Sequence, residues 1–232
     1  TNIQVLITIL GTWVLCPIIA CLLSMLFFVI TKNFLQKAKL HILRLDAYTR
    51  TALLLAGAFG AYSLGANNIA NVMGVFVPIS PFTDINILND FNFSSKEQLF
   101  LLGGIAIAVG VFTYSKKVMF TVGNDLLKMS PVAAFIVVLA HSIVLFLFAS
   151  QGISNFLQSI NLPSIPLVPV SSSQAVVGGV IGIGLLKGGK EVQWSIARKI
   201  SLGWVLLPIL AALISFIILF VLQNIFNLAV NY

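Results

Sequence analysis

Charge is scarce in this chain. Only 8% of its 232 residues are Asp, Glu, Lys or Arg, with six acids in all, against 59% hydrophobic residues and a mean hydropathy of +1.07. So little polar surface cannot clothe a soluble domain of this size, which requires a bilayer as solvent. Cysteine and histidine are scarce too, at two each. Cys16 and Cys21 share one apolar run and read as packing residues rather than a disulfide or ligand pair. His41 belongs to a basic segment, and His141 stands alone among apolar residues, where an isolated histidine is usually an interhelical hydrogen-bonding group and not a metal ligand. No HExxH, CxxC, GxSxG or Walker pattern occurs, so enzymatic chemistry has little to build on.

Apolar runs are abundant. Stretches near the spanning length of about 20 residues cover 3–30, 51–77, 99–114, 132–150 and 200–226, while 170–186 is shorter and glycine-rich, long enough to cross fully or only partly. The net charge of +7 suggests nucleic acid until it is mapped. Every basic residue except Lys96 falls in one of three clusters between the runs. Basic loops stay cytoplasmic, which explains the charge without a nucleic acid. Segments 32–50, 116–128 and 187–199 then face inward, and the Asp84/Asp90 loop and the uncharged segment 152–168 face outward. Segment 32–50 is amphipathic as well as basic, which predicts a connector lying along the inner surface.

One helix is written twice. Trp13, Val14, Leu15, Pro17, Ile18 and Ala20 recur at a constant offset as Trp204, Val205, Leu206, Pro208, Ile209 and Ala211, and Leu22/Leu213 and Ser24/Ser215 continue the series. The basic residues follow the first copy and precede the second, so the copies cross in opposite directions. That is the plan of inverted-repeat secondary transporters, whose sites are built from broken helices. The expected architecture is all-α: a polytopic transmembrane helical secondary transporter with inverted repeats and broken or re-entrant helices. Residues 1–31 are expected to be the closing helix of an upstream repeat, 32–50 the cytoplasmic connector, and 51–232 a complete second repeat. With no initial Met and one closing helix ahead of a whole repeat, the expectation is the second part of a longer protein, or a split product whose partner chain supplies the first repeat.

Polar residues inside apolar runs are costly unless paired or lining a cavity. One cluster is Gly65, Ala66, Asn67, Asn68, Ile69, Ala70 and Asn71, followed by Gly74. Small residues and amides there can break a helix at a binding site, or serve close helix packing with the amides as interhelical links. The second cluster, Pro169, Val170, Ser171, Ser172, Ser173 and Gln174, runs into Ala175 and the small residues Gly178, Gly179, Gly182 and Gly184. A proline and a serine run ahead of a helix-like stretch mark a helix start. Such an end attracts anions, because the dipole and the free N–H groups both point at the ligand; an ordinary outer-surface cap is the alternative.

At these two clusters the chain resembles the inorganic phosphate transporter (PiT) family. The family's duplicated Gly-Ala-Asn-Asp-x-Ala-Asn signature is matched by Gly65 to Asn71, and its Pro-Val-Ser-Thr-Thr-His run by Pro169 to Gln174. The Gln193-Trp194 pair ahead of the closing Trp204-to-Pro208 helix is also similar. The resemblance covers nearly the whole chain, in the order expected of the second half of a member.

That resemblance implies cation-coupled uptake of inorganic phosphate across the cell membrane, with Na⁺ or H⁺ as coupling ion, no other cofactor, and two inverted repeats sharing a central site. It implies that Asn67, Asn68, Asn71, Ser171, Ser172 and Ser173 bind the substrate, and that Asn68, Asn71 and Gln174 hold the cation. It is compatible with a homodimer. Two departures matter: Asn68 replaces the signature's aspartate and Gln174 the histidine, which leaves the coupling ion open and leaves room for sulfate, carried elsewhere in the superfamily. No Lys or Arg lies near either cluster, so neutral donors and helix ends must hold an anion. Asp125 is the one carboxylate near an uncertain span boundary, either a site acceptor or a helix-end residue beside Lys128. A channel or non-transporting subunit is the reading from another class; a channel calls for a continuous polar stripe, whereas the polar residues here gather at two short stretches.

Overall fold

The computed structural model describes residues 3–38, 41–88, 91–125, 129–190 and 192–225. Helices α1 (Ile3–Ala38), α2 (Ile42–Met73), α3 (Ser95–Asp125), α4 (Pro131–Ala149), α5 (Gln151–Ser159), α6 (Ser172–Leu186) and α7 (Trp194–Ile225) account for most of it. A 3-10 segment, Gly74–Ile79, follows α2, and an antiparallel hairpin of β1 (Ile85–Leu88) and β2 (Phe91–Phe93) pairs Asn86 with Asn92 ahead of α3. The chain forms two compact units, Thr1–Val192 and Gln193–Tyr232. The second is built on α7, which keeps Pro208 inside one continuous helix as α1 keeps Pro17, so both copies of the repeated stretch are helical.

Four described helices are long and apolar enough to cross a membrane: Leu6–Ala38, Ser95–Lys116, Pro131–Ala149 and Trp194–Ile225. α2 has the length, 32 residues, but its three asparagines dilute its hydropathy. The chain is an all-α, multi-pass membrane protein. α6 has 15 residues, about 22 Å at 1.5 Å per residue, short of a hydrocarbon core of about 30 Å.

Contacts within the first unit fix helix directions. Cys16 packs with Val144, Leu145 and Phe148, whereas Thr31 and Phe34 lie by Val132 and Phe135, so α1 and α4 are antiparallel. α2 runs parallel to α4, because Thr49 lies by Val132 and Phe59 stacks edge-on against Phe146 at 5.4 Å. α6 runs parallel to α1. A Cβ on Gly178 would meet the backbone carbonyl of Pro17, and one on Gly182 would meet Ser24 and Cys21, so glycine is what permits this close approach. Ser24 Oγ donates to the Gly179 carbonyl at 2.9 Å across the same seam. The end of α1 with Lys32 and Lys37, the start of α2 with Arg44 and Arg50, and the end of α6 before Lys187 therefore share one end, as the basic clusters predict.

Two expectations change. The Gly65-to-Asn71 cluster does not break its helix: α2 continues through it to Met73 and gives way only at Gly74, where the 3-10 turn begins. Isolated glycines cost a helix only about 1 kcal/mol each, and the Asn67 amide is used outside its own helix. Segment 32–50, in its described residues, is divided between two long helices. Its described residues extend α1 to Ala38 and open α2 at Ile42, capped by His41 Nδ1 accepting from the Leu43 N–H at 3.4 Å.

Candidate functional site

The polar residues meet where α6 begins. An extended approach ends at Val170, 3% exposed, whose backbone groups have no helix or sheet to join. Asn67 of α2 supplies both partners: its Nδ2 donates to the Val170 carbonyl at 2.9 Å and its Oδ1 accepts the Val170 N–H at 3.3 Å. The amide thus fixes the entry to α6, leaving one Nδ2 hydrogen for anything else.

Ser171 is the N-cap of α6. Its Oγ accepts the Gln174 N–H at 3.4 Å and pairs with Ser173 Oγ at 3.0 Å. Its carbonyl accepts the Ala175 N–H at 3.1 Å, opening the helix, and the Cys16 thiol at 3.7 Å. Ser172 Oγ lies 2.9 Å from Nε2 of His141 on α4. The first-turn N–H groups and the helix dipole are directed at the space ahead of Ser172 and Ser173. Ser173 is exposed and Ser171 and Ser172 are partly buried, so hydroxyls line the mouth of this helix end.

Gln174 is different in kind. It is 5% exposed, and its Oε1 has no hydrogen-bond partner among the described residues. A buried amide oxygen without a partner costs about 1–3 kcal/mol, and this one stands in the first turn of α6. On α2, Asn68 is half-buried and Asn71 exposed, and among the described residues neither side chain has a hydrogen-bond partner. The three asparagines stand at i, i+1 and i+4, so Asn71 lies on the same face as Asn67, one turn further. The structure therefore joins Asn67 to Val170, the residue before the serine run, and leaves the side-chain amides of Asn68 and Asn71 unused among the described residues.

Among the described residues no group of three His, Cys, Asp or Glu comes together. The side chain of Asp125 lies outside the described residues. The arrangement is a neutral, donor-rich helix end with one uncommitted buried carbonyl oxygen, chemistry suited to an oxyanion and a hard, singly charged cation. A separate, largely apolar cavity of about 360 Å³, lined by Thr31, Phe34, Leu35, Tyr48, Val132 and Phe135 among others, opens at the basic end. His141 belongs with the site although nothing in either sequence cluster marks it. The one signal was a lone histidine in an apolar span, which must find a partner, and that partner is Ser172.

A family model described as the phosphate transporter family matches residues 1–155 and 162–231. A candidate phosphate permease of Methanocaldococcus jannaschii is 29% identical over 218 residues, 94% of this chain and 61% of its own length. A candidate phosphate permease of Pyrococcus abyssi is 28% identical over 169 residues, 73% of this chain and 38% of its own. The human sodium-dependent phosphate transporter 1 is 26% identical over 151 residues, 65% of this chain and 20% of its own. The chain thus spans between a fifth and about three-fifths of the length of these relatives. No solved structure matches it.

Proposed function

The chain belongs to the phosphate transporter family, whose members are transporters and not enzymes, and from that premise we propose that it carries inorganic phosphate across the cell membrane by cation-coupled alternating access. The observation behind this reading is the start of α6: a serine-capped helix N-terminus inside a membrane bundle, with the unpartnered Gln174 Oε1 beside it. Phosphate oxygens take hydrogen bonds from Ser171, Ser172, Ser173 and the first-turn N–H groups, and from the amides of Asn68 and Asn71. Asn67 acts on the same site by holding Val170, with its second Nδ2 hydrogen left for the anion.

Gln174 Oε1, with the carbonyl oxygens of Asn68 and Asn71, forms the cation side. Neutral oxygens suit Na⁺, and a sodium-dependent relative favours that ion. A bound cation offsets the charge of an anion for which these two clusters carry no Lys or Arg. In the proposed carrier, 51–232 acts as one repeat, a second repeat of inverted topology completes the central site, and the assembly is a homodimer.

Uptake of radiolabelled phosphate and sulfate into proteoliposomes holding the full-length protein, with Na⁺ and H⁺ gradients imposed separately, tests this. Phosphate accumulation driven by a Na⁺ gradient, with counterflow of labelled substrate, is expected. Conductance without counterflow identifies a channel, and preferential sulfate uptake reassigns the substrate.

A further inference from the structure

We infer that His141 is the proton-responsive positioning residue of this site, its protonation fixing the Ser172 hydroxyl as a donor to the oxyanion. The inference rests on the oxyanion reading above and adds a residue outside both sequence clusters.

The geometry carries it. His141 is 9% exposed, and its Nε2 lies 2.9 Å from Ser172 Oγ, the second residue of the serine run. A serine hydroxyl has one hydrogen. When Nε2 carries a lone pair, that hydrogen points at the imidazole and Ser172 turns lone pairs toward the helix end, where they repel an oxyanion. When both ring nitrogens are protonated, Nε2 donates to Oγ and the hydroxyl hydrogen is free for the anion. The neutral tautomer with hydrogen on Nε2 also frees it, and protonation then adds a positive charge next to the anion. In either case the proton and the oxyanion favour each other, and by linkage each raises affinity for the other.

Among the described residues, the helices packed against α4 offer no competing counter-charge. α4 packs against α1, α2 and α6. α6 has no titratable residue from Ser172 to Leu186, and α4 has none besides His141. From α1 the near groups are the thiols of Cys16, on the Ser171 carbonyl, and Cys21; Lys32 and Lys37 lie at the basic end. From α2, Tyr62 has its ring against Phe146 at 6.3 Å, while Arg44, Asp46, Tyr48 and Arg50 stand at the basic end, with Arg50 bonded to Asp46 at 2.8 Å. No carboxylate on these helices faces His141. An imidazolium buried here has Ser172 Oγ as acceptor but no counter-charge on these helices until an anion arrives, so the proton enters from solution with the oxyanion and leaves with it.

The test is equilibrium binding of ³²P-phosphate to the purified full-length protein at fixed Na⁺, from about pH 5.5 to 8.5, for wild type, His141→Gln and Ser172→Ala. Dividing wild-type affinity by variant affinity at each pH removes the titration of phosphate itself. That ratio is expected to rise about five-fold or more on acidification for His141→Gln, within the usual range of coupling between sites, and for Ser172→Ala as well when the neutral imidazole carries its lone pair on Nε2. A His141→Gln ratio constant across pH overturns the inference while leaving the oxyanion site intact. Failure of the wild type to bind phosphate or sulfate at any pH overturns both. If His141→Gln does not fold, nitrogen-15 histidine resonances of the wild type decide. A His141 titration that moves to higher pH on adding phosphate supports the inference, and an unmoved one sinks it.

Discussion

Asn67 grips both backbone polar groups of Val170, a residue 103 positions away, with its Nδ2 on the carbonyl at 2.9 Å and its Oδ1 on the N–H at 3.3 Å. The first asparagine of one motif is thereby the fastening for the other. Asn67→Ala strands two buried backbone groups, each costing about 1–3 kcal/mol, so a lowered melting temperature in detergent is expected together with weakened phosphate binding. Asn67→Asp keeps the acceptor, loses the donor, and sets a carboxylate against the Val170 carbonyl; it should be no better than alanine. Lost binding at unchanged stability would make Asn67 a direct ligand instead of a fastening.

The α1–α6 seam gives a sharper structural contrast. A Cβ at Gly178 would collide with the Pro17 backbone, which cannot rotate away, whereas a Cβ at Gly57 or Gly104 meets nothing within 4 Å. Gly178→Ala should destabilise by at least the roughly 1–3 kcal/mol typical of overpacking. Gly57→Ala or Gly104→Ala should be neutral, or stabilising by up to about 1 kcal/mol from helix propensity. Thermal unfolding of the three variants in one detergent checks the order.

Much of this was legible in the sequence, for definite reasons. Four spans follow from apolar length, and the gathering of basic residues at one end of the first unit follows from their clustering, both local properties. The cap at Ser171 was legible because a serine run before a small-residue helix has few other uses. The continuity of α2 was not. Gly65 and three asparagines look like a break, but whether an amide turns on its own backbone or reaches another segment depends on what lies opposite, and Val170 is distant in sequence. His141 was hidden for the same reason, since the pairing with Ser172 exists only once α4 and α6 are packed.

Topology follows from the gathering of basic residues at one end of the first unit. Single-cysteine labelling in intact cells should place positions 37, 117 and 190 inside and positions 86 and 159 outside. Residues 37 and 190 found on opposite faces would contradict both the positive-inside assignment and the parallel packing of α1 and α6.

Gln174 Oε1 separates a structural role from a ligand role cleanly, because it has no protein partner among the described residues to lose. Gln174→Leu replaces an unsatisfied buried polar group with an apolar one of similar size, which should leave thermal stability equal or slightly higher without ligand. Phosphate binding should lose much of its Na⁺ dependence. If stability falls and Na⁺ dependence persists, the glutamine is structural and the cation lies elsewhere.

Asn68 is the position at which the chain departs from the Gly-Ala-Asn-Asp-x-Ala-Asn pattern, and Asn68→Asp tests what that departure does. The side chain is half-buried, with no hydrogen-bond partner among the described residues, so the substitution disturbs no internal contact there. Next to the cation, a carboxylate adds direct attraction, and the apparent affinity for Na⁺ should rise, with transport becoming sensitive to protonation of the new acid as pH falls. Facing the anion, the same charge opposes phosphate oxygens, and phosphate affinity should drop by ten-fold or more, about 1.4 kcal/mol or greater. Asn68→Ala provides the reference: losing one hydrogen bond to a charged group costs about 1.5–3 kcal/mol. Parallel measurements of Na⁺ and phosphate affinity on both variants in proteoliposomes distinguish the two placements. Unchanged values in both would remove Asn68 from the site and leave the serine-capped end of α6 to hold the anion without it.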